Sequence, residues 1–282
     1  MNEDLKEPEI IVPEPIILGK HEQAALETVT RGEWKKYTRV AMAALGGIPW
    51  VGSVLSAAAT LSAENEQGRT NQIMFLWVQE HEQKFKELGV TLNGIFERFS
   101  SFGDEVNARL ESTEYLTLVR KTFRLWDQAE THEKKEMFKK LITNSGVITL
   151  AQDDLVRLFL EWIEKYHEFH FAVIREIYTT RGITRGGIWE RIRGEEPRED
   201  SAEADLFKLL IRDLSTSGVI RQEKETNSLG QFVRKTRSKG TSRSSVYESA
   251  FEDTKPYVLT ELGAQFLHYV MEDIAPQIGS GS

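Results

Sequence analysis

The sequence predicts a mainly α-helical protein in which an N-terminal helical bundle is followed by a smaller domain of helices and two strands. Three observations lead to this fold class: a charge-free stretch of small residues, a long run of heptad-spaced apolar residues, and an ordered series of helix and strand patterns in the C-terminal half. The length of 282 residues is sufficient for two domains. The predicted limits are 1–20 for an extended arm, 21–150 for the bundle, 151–275 for the C-terminal domain and 276–282 for a tail ending in a Gly-Ser linker.

Composition excludes several classes of protein. A hydrophobic share of 40% with 28% charged residues is typical of a soluble protein rather than a polytopic membrane protein. The formal charge of −8 argues against a surface built throughout for nucleic acid. The absence of cysteine removes disulfides, thiol nucleophiles and cysteine-bound zinc or iron–sulfur clusters. The acidic start of the chain lacks the pattern of a secretory signal, which predicts a cytoplasmic protein.

The N-terminal arm contains Pro8, Pro13 and Pro15, which prevent a helix and leave two apolar triplets in extended chain. Three alternatives stay open for it: docking on the same chain, docking on a neighbouring subunit, or ordering only when a partner binds. A first helix is predicted from His21 to Leu45.

The charge-free stretch runs from Val40 to Ala63 and consists mainly of Ala, Gly, Ser, Val and Leu. As a helix it would be roughly 36 Å long, enough to cross a hydrocarbon core. Its small residues also permit close helix contacts, and Pro49 can break the run into a hairpin of two short helices. A membrane segment and a hairpin buried in a soluble bundle therefore both stay open. The candidate membrane-insertion residues are Ala44, Gly46, Gly47, Trp50, Gly52, Val54 and Leu55.

Apolar residues recur at heptad spacing between Thr70 and Leu110, which predicts one long helix of roughly 60 Å. Such a helix either joins a copy of itself or lies along other helices of its own chain. We expect an intramolecular bundle that also forms a homo-oligomer. The candidate oligomerisation residues are Phe85, Leu88, Leu92, Ile95, Phe99, Phe102 and Val106. Two shorter helices follow, with Thr131 expected to cap the second and Gly146 to end it.

The C-terminal half has the order helix, helix, short helix, longer helix, strand, loop, returning strand and final helix. The segments LLIRDLSTSGVI and YVLTELGAQFL resemble the recognition helix, and the second wing strand with its following helix, of bacterial winged-helix domains. The resemblance covers residues 168–272. It implies a winged helix-turn-helix fold, and it specifies fold better than role because many unrelated proteins share it.

The two parts of a winged helix that contact DNA differ in charge here. The predicted recognition helix, Ala202–Ser217, offers Lys208 and Arg212 beside three acids, which makes a poor groove-reading face. The wing segment Ser228–Ser245 contains five basic residues and no acid, and it either binds phosphates of nucleic acid or of anionic lipids, or is a solvated loop. These residues are Arg234, Lys235, Arg237, Lys239 and Arg243.

No pattern in the sequence supports catalysis or a cofactor. Glu164 and His167 have the spacing found in di-iron bundles, but the second half of that motif is missing, so His167 and His170 are interpreted as surface histidines beside aromatic residues. The glycines of RGITRGG lack the spacing and the lysine of a nucleotide-binding loop. The sequence predicts no catalytic residue, no metal site and no cofactor.

The layout resembles that of bacterial helical membrane-disrupting effectors of the abortive-infection type. The resemblance implies a non-enzymatic, membrane-targeting and pore-forming effector of bacterial defence, which moves from the cytoplasm to the inner membrane. A protein or nucleic-acid trigger would act through the winged-helix domain. The alternative is a soluble dimeric winged-helix DNA-binding regulator, and a structural subunit of a larger complex stays open as well.

Overall fold

The computed structural model describes residues 36–51, 68–147, 152–223 and 249–271. These residues form mainly helices and one two-stranded sheet, which confirms the mainly α-helical class. They divide into two compact units between Leu160 and Glu161. The domain limits given by the sequence stay a prediction, and the N-terminal arm lies outside the described residues.

The first unit is helical throughout its described part. Its elements are α1 (Thr38–Leu45), α2 (Gly68–Ser101), a 3-10 turn (Gly103–Val106), α3 (Asn107–Leu110), α4 (Thr113–Gln128) and α5 (His132–Val147). Helix α6 (Asp153–Lys165) begins in the first unit and ends in the second. The second unit continues with α7 (Glu168–Thr179), α8 (Arg185–Arg193), α9 (Ala202–Thr216), β1 (Ile220–Gln222), β2 (Tyr257–Leu259) and α10 (Glu261–Val270).

Helix α1 packs on α4, and three of its four buried residues are alanines. Ala41 and Ala44 are buried there, and a β-carbon at Gly47 would overlap the carbonyl oxygen of Arg120. The helix ends at Leu45, as the sequence predicts, and the chain turns at Gly46 and Gly47 before it becomes helical again at 49–51. The stretch from Val40 is therefore not one continuous helix. Within the described ranges, no helix combines the length and the apolar character needed to cross a membrane.

The prediction of one long helix from Thr70 to Leu110 is wrong at its C-terminal end, because α2 does not continue to Leu110. It ends at Ser101, and Gly103 follows with φ of 74°, a left-handed conformation that terminates an α-helix. Phe96 is fully buried beside the predicted seam, so the apolar stripe is wider than a strict heptad seam. A stripe of this width is typical of a helix in a globular bundle. Other residues of the same chain contact this helix. Tyr37, just before α1, stacks on Phe96, and Lys135 of α5 forms an ion pair with Glu87.

Helices α4 and α5 both begin at a hydroxyl cap, and the cap of α5 is the predicted residue Thr131. The Ser112 hydroxyl accepts a hydrogen bond from the backbone N–H of Tyr115, and the Thr131 hydroxyl accepts one from that of Lys134. Gly146 has a different role from the predicted helix end, because α5 continues to Val147. A β-carbon at Gly146 would come within 2.7 Å of the Tyr115 hydroxyl, so this glycine provides room for a buried tyrosine.

The second unit is built around an aromatic cluster, defined as Phe169, Trp189, Phe207 and Phe251. These four rings join α7, α8, α9 and the chain before β2. Strands β1 and β2 are antiparallel, with Ile220 opposite Leu259. Gly218, at φ of 79°, ends α9 and leads the chain into β1. The predicted order of helices and strands is therefore present in the described part of this unit.

The contact at Gly47 predicts a large effect of a small substitution. Gly47→Ala is expected to lower the free energy of unfolding by about 1–3 kcal/mol, because the new methyl group meets backbone that has no rotamer to change. Met42→Ala, at a side chain of α1 that is 63% exposed, is the control and should have little effect. Urea denaturation followed by circular dichroism measures both. Equal midpoints for the two variants would contradict the close packing of α1 on α4.

The burial of the α2 stripe generates a second prediction. Leu92→Ala is expected to cost about 2–5 kcal/mol because Leu92 is fully buried in the first unit. Val90→Ala, at a residue of the same helix that is 69% exposed, is the matched control. Both variants should keep the molar mass of the wild type in light scattering. A loss of mass in Leu92→Ala without a loss of stability would show that the stripe joins copies instead.

Candidate functional site

The outer face of α9, defined as Glu203, Asp205, Leu206, Leu209 and Arg212, is the candidate functional site. The helix begins after Ser201, whose hydroxyl accepts a hydrogen bond of 3.1 Å from the backbone N–H of Ala204. Its inner face is fixed by buried apolar residues. These are Ala204, Phe207, Leu210, Ile211 and Leu214.

Two large apolar side chains lie on the outer face of α9. Leu206 is 48% exposed and Leu209 is 40% exposed. They are three residues apart, so they are neighbours on the helix surface. The sequence contained a signal for this pair. Phe207, Leu210 and Leu214 already form the apolar stripe of the helix, and the two leucines lie outside that stripe. We did not predict their exposure.

The charges on this face are predominantly negative. Glu203 and Asp205 are exposed in the first turn. Lys208 is engaged elsewhere, because its ammonium group lies 3.0 Å from the carboxylate of Glu199. Arg212 is then the exposed cation of the helix. In a DNA-reading helix, the first turn approaches the base edges, and here that turn carries two carboxylates.

Glu199 joins α9 to the chain that precedes β2. It accepts hydrogen bonds from the Ser249 hydroxyl and, at 2.7 Å, from the backbone N–H of Ala250. Partial burial alone would raise the pKa of Glu199, but the hydrogen bonds from Ser249, Lys208 and Ala250 lower the pKa below its ordinary value. The residue therefore stays charged and pairs with Lys208.

Acidic residues also surround the end of α8. Glu190, Glu195 and Glu196 line a cleft at Gly194, and the pKa of Glu196 is raised by partial burial and by repulsion from Asp253. In the part of the chain that the structure describes, no group of His, Cys, Asp and Glu side chains has the arrangement of a metal site.

The base of the predicted wing is held by a polar network centred on the Tyr257 hydroxyl. The Arg185 guanidinium donates to it at 2.8 and 3.0 Å, and the Gln222 amide donates at 3.2 Å. The two strands are thereby attached to the start of α8. The predicted phosphate- or lipid-binding residues, Arg234 to Arg243, lie outside the described residues.

The prediction that His170 is a surface histidine is wrong, because its side chain is only 4% exposed. Its ring stacks on Tyr166 with 4.8 Å between centroids, and its Nδ1 accepts a hydrogen bond from the backbone N–H of His167. Burial and the nearby His167 lower the pKa of His170 to about 4, while Asp213 opposes the shift. His170 is therefore neutral at physiological pH. His167 is exposed, as predicted.

The structure brings some of the predicted membrane-insertion residues together in the core of the first unit. Ala44 and Gly47 are buried against α4, whereas Gly46 is exposed. Trp50 donates a hydrogen bond of 2.7 Å to Asp127, and its ring meets Phe85 edge to face. No spacing in the sequence signalled this Trp50–Asp127 pair. Gly52, Val54 and Leu55 lie outside the described residues.

The predicted oligomerisation residues differ in burial. Phe85 and Phe102 are half-buried, and the other five are buried within the same chain. These five are Leu88, Leu92, Ile95, Phe99 and Val106. A second copy therefore has no access to them in this conformation. Formation of a homo-oligomer stays a prediction.

With the geometry of both units established, we compared the chain with known proteins. Family models, curated proteins and solved structures gave no match. The function is therefore inferred from the sequence patterns and from the geometry of the described residues.

The buried state of His170 predicts acid sensitivity of the second unit. The folded pKa of about 4 lies below the ordinary 6.5, so the unfolded chain takes up a proton first as the pH falls. Stability is unaffected above the ordinary pKa and declines between the two values, by up to about 3 kcal/mol.

Urea denaturation of wild type and His170→Phe across this pH range tests the assignment. The variant keeps an aromatic ring beside Tyr166 and should show a smaller loss of stability in acid. His132→Gln, at an exposed histidine of the first unit, is the control and should follow the wild type. If His170→Phe loses as much stability as wild type between neutral and acidic pH, His170 is not the group responsible.

Proposed function

We propose that this chain is a non-enzymatic effector of bacterial defence with two functions, one in each unit. The second unit is a winged-helix module that recognises a protein signal. The first unit keeps the charge-free stretch Val40–Ala63 covered until the signal arrives, and the stretch then enters the inner membrane as part of an oligomer. The proposal combines the sequence patterns with the geometry of α9 and α1.

The outer face of α9 is the observation that carries this proposal. In the winged-helix order of elements, α9 occupies the position of the recognition helix. Its exposed leucines and carboxylates suit a protein surface, whereas a helix that enters the major groove needs basic and amide side chains. A protein-recognising role follows from these side chains, and not from the fold.

The packing of α1 supports the covered state of the apolar stretch. Small residues permit close packing on α4 within the chain, and the same property permits close packing between helices in a bilayer. The hydrogen bond from Trp50 to Asp127 attaches the segment that follows α1 to α4. A change that separates α1 from α4 would expose this apolar surface.

A DNA-binding regulator is the second candidate. It is favoured by the order of helices and strands and by the five basic residues between Ser228 and Ser245. The carboxylates in the first turn of α9 oppose it, because they would face phosphates.

Duplex binding distinguishes the two candidates. We expect the wild-type protein to bind duplex DNA weakly at low salt, without sequence preference. This binding should disappear near physiological ionic strength. The salt slope should be near −0.9 per phosphate contact. Replacing the five basic wing residues with Ser should abolish this binding. Arg212→Ser is the matched control and should leave it unchanged, because α9 does not enter the groove. A defined operator bound at nanomolar affinity in physiological salt would favour the regulator instead.

Dye release from anionic liposomes tests the membrane function. Gly47→Val separates α1 from α4 and is expected to release dye, while wild type without a trigger does not. Adding Leu55→Lys should abolish release, since a charge near the bilayer centre costs about 2.5–3.5 kcal/mol. Gly263→Val is the control, because a side chain there overlaps Val219 and disrupts only the second unit. Equal release by Gly47→Val and Gly263→Val would reject a specific role of the apolar stretch.

A further inference from the structure

We infer that the outer face of α9 binds a basic amphipathic helix of a partner protein. This inference rests on the proposed protein-recognising role of the second unit and identifies the chemistry of the partner. The partner segment carries apolar residues three or four apart, flanked by Lys and Arg.

The apolar part of the surface defines the shape of the partner segment. Leu206 and Leu209 are adjacent on one side of α9, and both retain 40% or more of their surface in contact with solvent. The neighbouring Phe207 is fully buried in the aromatic cluster, so α9 cannot rotate to bury the leucines without removing a core residue. Their exposure is thus enforced by the fold. A partner helix with matching apolar spacing would cover both.

The charged part of the surface defines the sign of the partner. Glu203 and Asp205 precede the leucines, and Glu199 holds Lys208 at 3.0 Å beside the chain that leads to β2. The exposed charges of α9 are then two carboxylates and the guanidinium of Arg212. Complementarity therefore requires Lys or Arg opposite the first turn of α9.

Two other occupants fit this surface less well. A nucleic acid would place phosphates beside Glu203 and Asp205, and it has no apolar group of the size of two leucines. A second copy of the chain would bring two carboxylates and one guanidinium, that of Arg212, from each side, so that a pair of α9 faces would keep an excess of negative charge. The helix dipole explains why acids favour the first turn, but it does not explain the exposed leucines.

Selection from a phage-displayed library of random peptides tests the inference. Peptides of about 16 residues are long enough for four helical turns. The full chain is the target, and the double variant Leu206→Ser, Leu209→Ser is used for counter-selection. We expect the selected peptides to carry net positive charge and to repeat apolar residues at helical spacing.

A synthetic copy of the most enriched peptide then reports on each part of the surface. Binding should be lost with Leu206→Ser, Leu209→Ser. With Glu203→Gln, Asp205→Asn it should weaken roughly tenfold and lose most of its salt dependence. Arg212→Gln is the matched control and should bind at least as tightly as wild type. Circular dichroism should give the same spectrum for all variants, since every substituted residue is exposed.

Two results would overturn the inference. Enrichment of acidic or uncharged peptides that still require Leu206 and Leu209 would reject a basic partner, while a protein-recognising role of the second unit would stand. Failure to enrich any peptide dependent on these leucines would reject α9 as the docking surface. Neither result involves membranes, so the liposome assay judges the effector function separately.

Discussion

At Gly47, in the turn after α1, the backbone lies directly against the carbonyl group of Arg120, and much of the packing of α1 on α4 depends on that contact. A larger residue at this position would hold the end of α1 away from α4. Because the two helices are so close, the next residues reach α4 as well, and Trp50 donates its hydrogen bond to Asp127. The small residues of the apolar stretch therefore have a role in the folded chain that does not require a membrane. The proposed membrane role depends on breaking that contact.

The second unit also contains a glycine that lies directly against the backbone of another segment. A β-carbon at Gly263 would overlap the carbonyl oxygen of Val219, so α10 lies directly on the chain that enters β1. The Thr260 hydroxyl caps α10 through Gly263 and donates to the carbonyl of Gly218. The end of α9 is thereby fixed, while the aromatic cluster fixes its middle through Phe207. With both regions held, the direction of Leu206 and Leu209 is determined by helical geometry alone.

The sequence predicted those features of the fold that depend on neighbouring residues. Thr131 caps α5 and Gly218 follows the end of α9, because each acts on backbone groups within a few residues. Ser112, Ser201 and Thr260, which we did not predict, cap helices by the same local interaction. Features that depend on distant residues were missed. His170 is buried in the folded unit, where the distant residue Asp213 of α9 acts on its pKa, and Phe96 is buried where Tyr37 stacks on it. The surplus leucines of α9 were visible in the sequence, but their exposure depends on which side the aromatic cluster holds.

The charges of the second unit separate its proposed ligands. The basic residues lie between Ser228 and Ser245, whereas the exposed acids of α9 lie beside its leucines. A DNA-reading winged helix needs its recognition helix and its wing to face the same phosphate backbone, so both should be basic or neutral. With a basic wing and an acidic α9, the carboxylates of α9 would be repelled by the phosphates that the wing attracts. A basic wing can still bind phosphates by itself, since that attraction requires no base contact. Under the proposed function, phosphates are therefore expected at the wing and a basic protein segment at α9, so that one small unit would have two partners of opposite charge.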